Sequence, residues 1–479
     1  MASEKPITIN AFMGLNTLHT RQAGQLSGGK NCVVSAGSLK TRYGCSAVAG
    51  GETVLPDGVT FAAIKSIHSA VQSGAERLLI EEGTNLWHRP TATGAWELLI
   101  GAGKAITALT AGTTLSSCRW DDFLILVNGT QMLAYDITNG TIAALGGTPP
   151  AMEYVAEHNH ILFGWAPNKA GANKVYFCGY VEGTVRRSKD AWDVDEYMID
   201  VGGNSGNPVL AYIPYSTHYL ALTKNDFWRI YGSTEADFSN LYGGPTSLVN
   251  SRCAVKVKDH IMWLGQDGRT YRVFAYTGTT PVPISMPVED LFSDYVFADP
   301  WVYGGTNEFM LFLPDATNSK TVVLVFDVLE RQWQTPHEYP GVFNDAAEFG
   351  SYLQRRYVNI GLADGTLARL DDSETDFGAD IESEFSIGPV DIDGRKLVIK
   401  NIWFKADPKN DFDIDVYSIA DDKDEKGPQP LSFSDGAVVD AKVRFGTFRG
   451  QNLSLRCTST DRIDELQKIT IVVEPKAVK

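Results

Sequence analysis

The chain has 479 residues, with 42 Lys and Arg against 58 Asp and Glu, and a net charge of −16. Apolar residues make up 43% and aromatics 11%, which excludes global disorder. The acidic balance excludes a sequence-independent phosphate binder, which needs net positive charge, and the length predicts two or three domains or one long repeat domain.

The N-terminus, MASEKPITINAF, has one early Lys and no apolar run of signal-peptide length, so export by the usual route is not expected. No stretch approaches the ~20 apolar residues of a membrane span. Residues 1–55 are polar and Gly-rich with little strand pattern, and read as an N-terminal arm. Beyond them the chain breaks into short runs of Val, Ile, Leu, Tyr, Phe and Trp, punctuated by Gly, Pro, Asn and Asp. Helical candidates are confined to Pro287–Phe297 and Ala346–Gln354. This pattern predicts an all-β chain with less than ~15% helix.

Seven apolar–turn–apolar hairpins occur in order. Their turns lie at Gly83, Gly129, Ala172, Asp226, Gly268, Ser319 and Gly365. Gly83 and Gly365 are 282 residues apart, a mean of 47 per interval. The short Gly, Asn and Asp turns read as type I′, with φ > 0 at both central residues. Charged pairs precede several hairpins: Asp121-Asp122, Lys258-Asp259 and Arg355-Arg356. A 40–50-residue period around one central hairpin predicts four-stranded blades around an axis. The expectation is a β-propeller of six to eight blades, seven by hairpin count, over residues 56–378. AITAL (105–109) and TIAALG (141–146) read as the strands flanking the Gly129 hairpin.

An acidic linker, LDDSETDFGAD, leads into residues 379–479, where apolar and polar residues alternate cleanly in KLVIKNIWFKA, FDIDVYSI, NLSLRCTS and KITIVVEP. Four to six strands of this kind predict a C-terminal β-sandwich. DDKDEKGPQP (421–430) reads as a solvated loop.

No chemical motif stands out. The six cysteines, Cys32, Cys45, Cys118, Cys178, Cys253 and Cys457, are far apart and form no CxxC, so reduced buried thiols are expected. His158 and His160 would share a strand face, but zinc needs three or four ligands and no third is near. Asp411, Asp413 and Asp415 would line a strand face without the Gly and distal acid of a calcium loop. Asp190, Asp193, Glu196 and Asp200 are acids in which no spacing singles out a glycosidase pair. GQDGRTYRV and ADGTLARL lack the Ser and Trp of sialidase turns, and there is no GxSxG, GxxxxGK[ST] or HExxH. Gly202-Gly203 is a lone Gly-rich turn, and Arg186-Arg187 with Lys189 is a small basic cluster on an expected blade loop. No catalytic residue, cofactor site or metal site is assigned.

Three segments carry a resemblance. They are FWRIYGSTEADF (227–238), the run from Ser251 to Phe292 with Trp263-Leu264-Gly265-Gln266-Asp267-Gly268 and Pro283-Ile284-Ser285, and the N-terminal NCVVSAGSLKTRYG (31–44). VRFGTFRGQNLSLRCTS (443–459) adds a closing R-x-x-G-x-x-R-G-like strand. Together they resemble the tail nozzle or hub proteins of short-tailed bacteriophages, also called packaged-DNA stabilisation proteins, with Tyr43 where that family carries Pro. The resemblance implies a propeller protomer with added β-domains and no enzymatic activity. It implies a homo-oligomeric six-fold ring around the DNA exit channel, assembled in the host cytoplasm and placed in the virion tail. The implied partners are a tail adaptor below the portal and tailspike or fibre proteins, with DNA passing through without sequence-specific binding. An acidic or neutral lumen would let phosphates slide where a basic one would hold them. The alternatives are a glycan-active propeller enzyme and a receptor- or carbohydrate-binding protein.

Overall fold

The computed structural model describes residues 4–475 apart from 19–21, 23, 49–54, 57, 59, 73, 92–93, 204–206, 235–236, 350–356, 391–396, 422–423, 435–438, 446–448 and 451. Among these residues, seven successive antiparallel sheets form the blades of a propeller. Blade 1 runs Ile64–Gln72, Ala75–Glu82, Asn85–Arg89 and Glu97–Ile100, inner strand to outer. Blades 2 to 6 repeat the plan, with inner strands Ser116–Trp120, Tyr154–His158, Val209–Pro214, Ala254–Val257 and Trp301–Gly304. Blade 7 takes Phe343–Phe349, Tyr357–Leu362 and Leu367–Ser373 from the end of the repeat, but its outer strand is Gly44–Ala47. The ring is thus closed by a strand that precedes blade 1 in the chain.

All seven hairpins named from sequence are the second and third strands of blades. The second strands are covered on both faces by neighbouring blades, so their apolar residues run on without alternation. Ile161–Trp165 and Tyr219–Thr223 are buried at every position. The turns differ from expectation. Gly83 and Gly268 have positive φ, but Thr84 and Arg269 after them do not, so these turns are not type I′. Asn159-His160, between the first two strands of blade 3, is a two-residue turn with both φ positive. At Gly365 (φ +87°) a Cβ would lie 1.8 Å from the Phe61 carbonyl, so glycine is required where blade 7 meets blade 1.

The sandwich comprises two sheets. One orders Val439–Val443, Leu397–Ala406, Leu466–Pro475, Ser38–Thr41 and Cys32–Ser35, with Lys5–Ile9 paired to Leu466–Pro475. The other orders Met13–Leu15, Gln25–Lys30, Ser383–Val390, Leu453–Ser459, Phe412–Ala420 and Asp424–Phe433. Here alternation is kept, as in Leu453–Ser459, because each sheet packs on one face only.

Several local expectations are corrected. Residues 1–55 are not a strand-poor arm: among the described residues they supply five strands to the two sandwich sheets and one to blade 7. Ala105–Leu109 is not a strand; the inner strand of blade 2 is Ser116–Trp120. Pro287–Phe297 gives a 3₁₀ helix at Met286–Ser293, whereas Ala346–Phe349 belongs to the inner strand of blade 7 and 350–354 lie outside the described residues. Arg355-Arg356 also lie outside them, while Asp121-Asp122 and Lys258-Asp259 form turns between first and second strands. Most of 421–430 is the edge strand Asp424–Phe433, not a loop. Its charges and its two prolines, Pro428 and Pro430, suit an edge that must not pair further.

Candidate functional site

Two places gather polar side chains from distant parts of the chain. The first is the joint between propeller and sandwich. Arg42 comes directly after the sandwich strand Ser38–Thr41, with a side chain only 1% exposed. Its Nε donates to Asn31 Oδ1 at 2.9 Å and its Nη1 to the Tyr43 carbonyl at 2.9 Å. Nη2 donates to the blade 6 carbonyl of Glu338 at 2.5 Å. The guanidinium grips Asp376 through both carboxylate oxygens, at 3.0 and 2.5 Å, and lies 3.7 Å over the Tyr339 ring. Bidentate pairing of this kind fixes orientation as well as distance. Beside it lies a cavity of about 240 Å³ walled by Lys40, Glu308, His337 and Asp371. Burial, then the charges of Asp371 and Asp327, push Glu308 up to about 7. Burial, then Arg42, push His337 down to about 3, so it is neutral at pH 7.

The second place is the propeller axis. A cavity of about 640 Å³ opens where the inner strands of six blades approach one another. Arg252 enters it just before the inner strand of blade 5. Its Nη2 donates to the Asn344 carbonyl and reaches Asp345 Oδ1 at 3.4 Å, while Nη1 lies 3.9 Å from Asp299 Oδ2. Asp345 also accepts from the Ile67 amide at 2.9 Å, which ties blade 7 to blade 1. Burial pushes the Asp345 carboxyl up, against the pull of Arg252.

His68, buried in the same wall, joins blade 1 to blade 2. Its Nδ1 is 2.9 Å from Ser117 Oγ and its Nε2 is 2.9 Å from Ser66 Oγ. Ser66 donates to Glu81 at 2.7 Å, so Nε2–H donates to Ser66 and Nδ1 accepts from Ser117. Burial, then the Arg252 charge, lower His68 to about 4. Neutral and held on both nitrogens, it locks two blades together.

The sequence candidates do not assemble. His158 ends the inner strand of blade 3 and His160 lies in the turn after it, so they do not share a strand face. His158 packs edge-on against Tyr219, and His160 Nδ1 is 3.5 Å from Asp121. Asp413 and Asp415 lie on Phe412–Ala420, with Asp411 just before it. Asp190 accepts from the Gly146 amide and pairs with Lys189 at 2.6 Å, Asp193 caps the amides of Asp195 and Glu196, and Asp200 accepts from Asn173. Arg187 is buried, donates to the Cys178 carbonyl and lies 3.9 Å over Tyr180, so it belongs to no basic patch. Gly202 and Gly203 both have positive φ, and the Gly203 carbonyl accepts from Asn173. The cysteines are free, and five of the six are buried. Sequence reasoning missed Arg252, Asp345, His68 and Ser117. The one available signal was the 49-residue spacing of His68 and Ser117, close to the blade period.

No family model matches the chain, and no curated protein matches it in sequence. In structure it is similar to BamB from Moraxella catarrhalis, at 11% identity and a TM-score of 0.42, over 71% of this chain and 93% of that one. It is similar to the Swd1 β-propeller domain of Myceliophteria thermophila at 10% identity and a TM-score of 0.43, over 66% and 98%. An exo-β-1,3-galactanase from Phanerochaete chrysosporium aligns at 9% identity and a TM-score of 0.29, over 89% and 99%. The propeller assignment rests on the strand order itself: seven blades in chain succession, the last closed by the strand Gly44–Ala47.

Proposed function

We propose that the chain is a structural component of a short-tailed phage tail, a nozzle or hub protomer that forms a ring around the DNA exit channel. The observation that carries this reading is the role of the resembling segment 31–44. Its first and last polar anchors, Asn31 and Arg42, bond each other and lock the sandwich onto blade 6 and onto the exit of blade 7. A protomer that transmits load between an adaptor and attached fibres needs such a stiff joint. The net charge of −16 per copy favours passage of DNA over its capture.

The test is electron microscopy of assembled tails carrying this chain with a tag at its C-terminus. The expected result is label on a closed ring, six-fold in class averages, coaxial with the tail. Tails whose label is absent, or lies on radial appendages only, would overturn the proposal.

A further inference from the structure

The two outer faces of the sandwich carry opposite charge. On the first sheet, Lys405 sits opposite Lys468 on one neighbouring strand and opposite Asp440 on the other. Trp403 sits between Lys442 and Thr470 in the same way. Positions 403 and 405 are two apart on one strand, so both rows share the outer face. A shallow groove of about 470 Å³ runs over Trp403, Lys405, Asp440, Lys468 and Thr470. Trp403 is 39% exposed, and the Lys442 ammonium lies 4.7 Å over its ring. Among the described residues, Lys405, Lys442 and Lys468 have no ion pair. Like charges set directly across a ladder repel, and Asp440 flanks Lys405 alone. The Lys405 and Lys468 pair is therefore a cost that an anionic surface seated on the groove removes.

The second sheet turns its outer face the opposite way. That face carries Asp413 and Asp415 on Phe412–Ala420, and neither carboxylate has a hydrogen bond or ion pair among the described residues. Beside them Glu384 and Glu425 share one cation, Arg456. One chain thus presents an unpaired basic patch centred on an aromatic ring and an unpaired acidic patch facing away from it.

A head-to-tail contact between copies needs two different, complementary patches on each copy. At physiological salt, exposed charges beyond about 8 Å are screened, so the patches that touch decide the contact rather than the total of −16. A nucleic acid fits the groove less well. Asp440 interrupts the lysines, and Lys400 is already held by Glu474 at 2.6 Å, so the face offers no continuous cationic track for a phosphate backbone. A half-exposed Trp inside a charged rim is the usual anchor of a protein interface. We infer that the groove at Trp403, Lys405 and Lys468 docks, head to tail, on the Asp413 and Asp415 face of a second copy of this chain. Closure of such contacts into a ring rests on the reading proposed above; the contact itself needs no tail.

The experiment is sedimentation velocity of the purified full chain over a concentration series, at about 50 mM and about 1 M NaCl. Association that grows with concentration is expected at low salt, and high salt should weaken it roughly tenfold or more. Trp403→Ala should weaken it roughly tenfold. Lys405→Glu with Lys468→Glu should keep the chain monomeric, as should Asp413→Lys with Asp415→Lys, each with the melting temperature of the wild type. An equimolar mixture of these two double variants should associate, because the acidic groove of one fits the basic face of the other; misfolded chains would not complement in this way. The inference is overturned if the wild type stays monomeric at every concentration, if either double variant associates as the wild type does, or if the mixture stays monomeric. Binding of an oligothymidylate that is lost in Lys405→Glu with Lys468→Glu would assign the groove to nucleic acid and overturn it as well. A chain that is monomeric in solution yet labels a closed ring in tails overturns this contact and leaves the tail reading standing.

Discussion

Removing the Arg42 guanidinium tests the joint directly. Arg42→Met keeps most of the side-chain length but strands Asp376, whose side chain is 9% exposed. Breaking a buried ion pair by deleting one partner costs about 3–5 kcal/mol, because the other charge remains desolvated. The bonds to Asn31 and to the carbonyls of Tyr43 and Glu338, and the stacking on Tyr339, would be lost as well. These terms share one group and do not add. Asp376 keeps the Cys45 amide at 3.2 Å, which offsets part of the loss. The net cost is then about 4 kcal/mol. A chain with two β-units need not unfold in one step, so the readout is local: hydrogen exchange of peptides covering 31–45 and 336–345. At 1.36 kcal/mol per factor of ten, exchange there should accelerate by roughly a thousandfold. Peptides from blades 2 to 4 should be unaffected. Arg42→Lys should fall between, since an ammonium cannot make the fork. Acceleration below about tenfold at the joint would refute the reasoning, as would equal acceleration in blade 3.

Three other outcomes are expected. Glu308 in the joint cavity holds its proton up to about pH 7, well above its ordinary value, so the folded state loses stability as pH rises from about 4.5 through 7. Glu308→Gln should therefore gain stability relative to wild type between pH 5 and pH 8, by at most about 3 kcal/mol, and a melting-temperature difference independent of pH would contradict this. Burial raises the Cys32 thiol to about 12 and Cys178 above its ordinary value; the native chain should react with a thiol reagent far more slowly than the urea-unfolded chain, and fast stoichiometric labelling of the native chain would be inconsistent with it. In an assembled ring, the surface facing the axis should carry no continuous Lys and Arg lining; a charge-coloured map of the ring decides it.

The propeller was legible because its signal is local. A central hairpin such as Phe123–Val127 with Met132–Asp136 is a self-contained apolar–turn–apolar unit, and seven of them repeat. The outer elements carry no such signal. Gly44–Ala47 is GCSA, which reads as loop until Leu367–Ser373 lies beside it. Likewise QLSGGK, at Gln25–Lys30, becomes a strand only because Ser383–Val390 supplies its partners. The edge strand Asp424–Phe433 looks like a loop because its charges and prolines guard a free edge. The axial cavity was illegible for a different reason: Arg252 and Asp345 are 93 residues apart, and each looks like an ordinary solvated charge in its own segment. Only the circular arrangement of blades brings them together.

The closure of blade 7 by Gly44–Ala47 also sets an order of events during synthesis. Residues made before blade 1 find several of their partners only beyond blade 6: the Cys45 amide bonds Asp376, and Thr41 bonds Ile463, 422 positions later. Blades 1 to 6 can form in turn as they leave the ribosome, but the closing strand Gly44–Ala47 must wait until its partner Leu367–Ser373 has emerged, and Thr41 until Ile463 has. The polar residues and glycines of the segment ahead of blade 1 suit that wait, since a strongly apolar segment held open for so long would recruit other nascent chains. The propeller therefore cannot seal until blade 7 has been made, and a product truncated before Leu367 is left with an open ring and an orphaned closing strand.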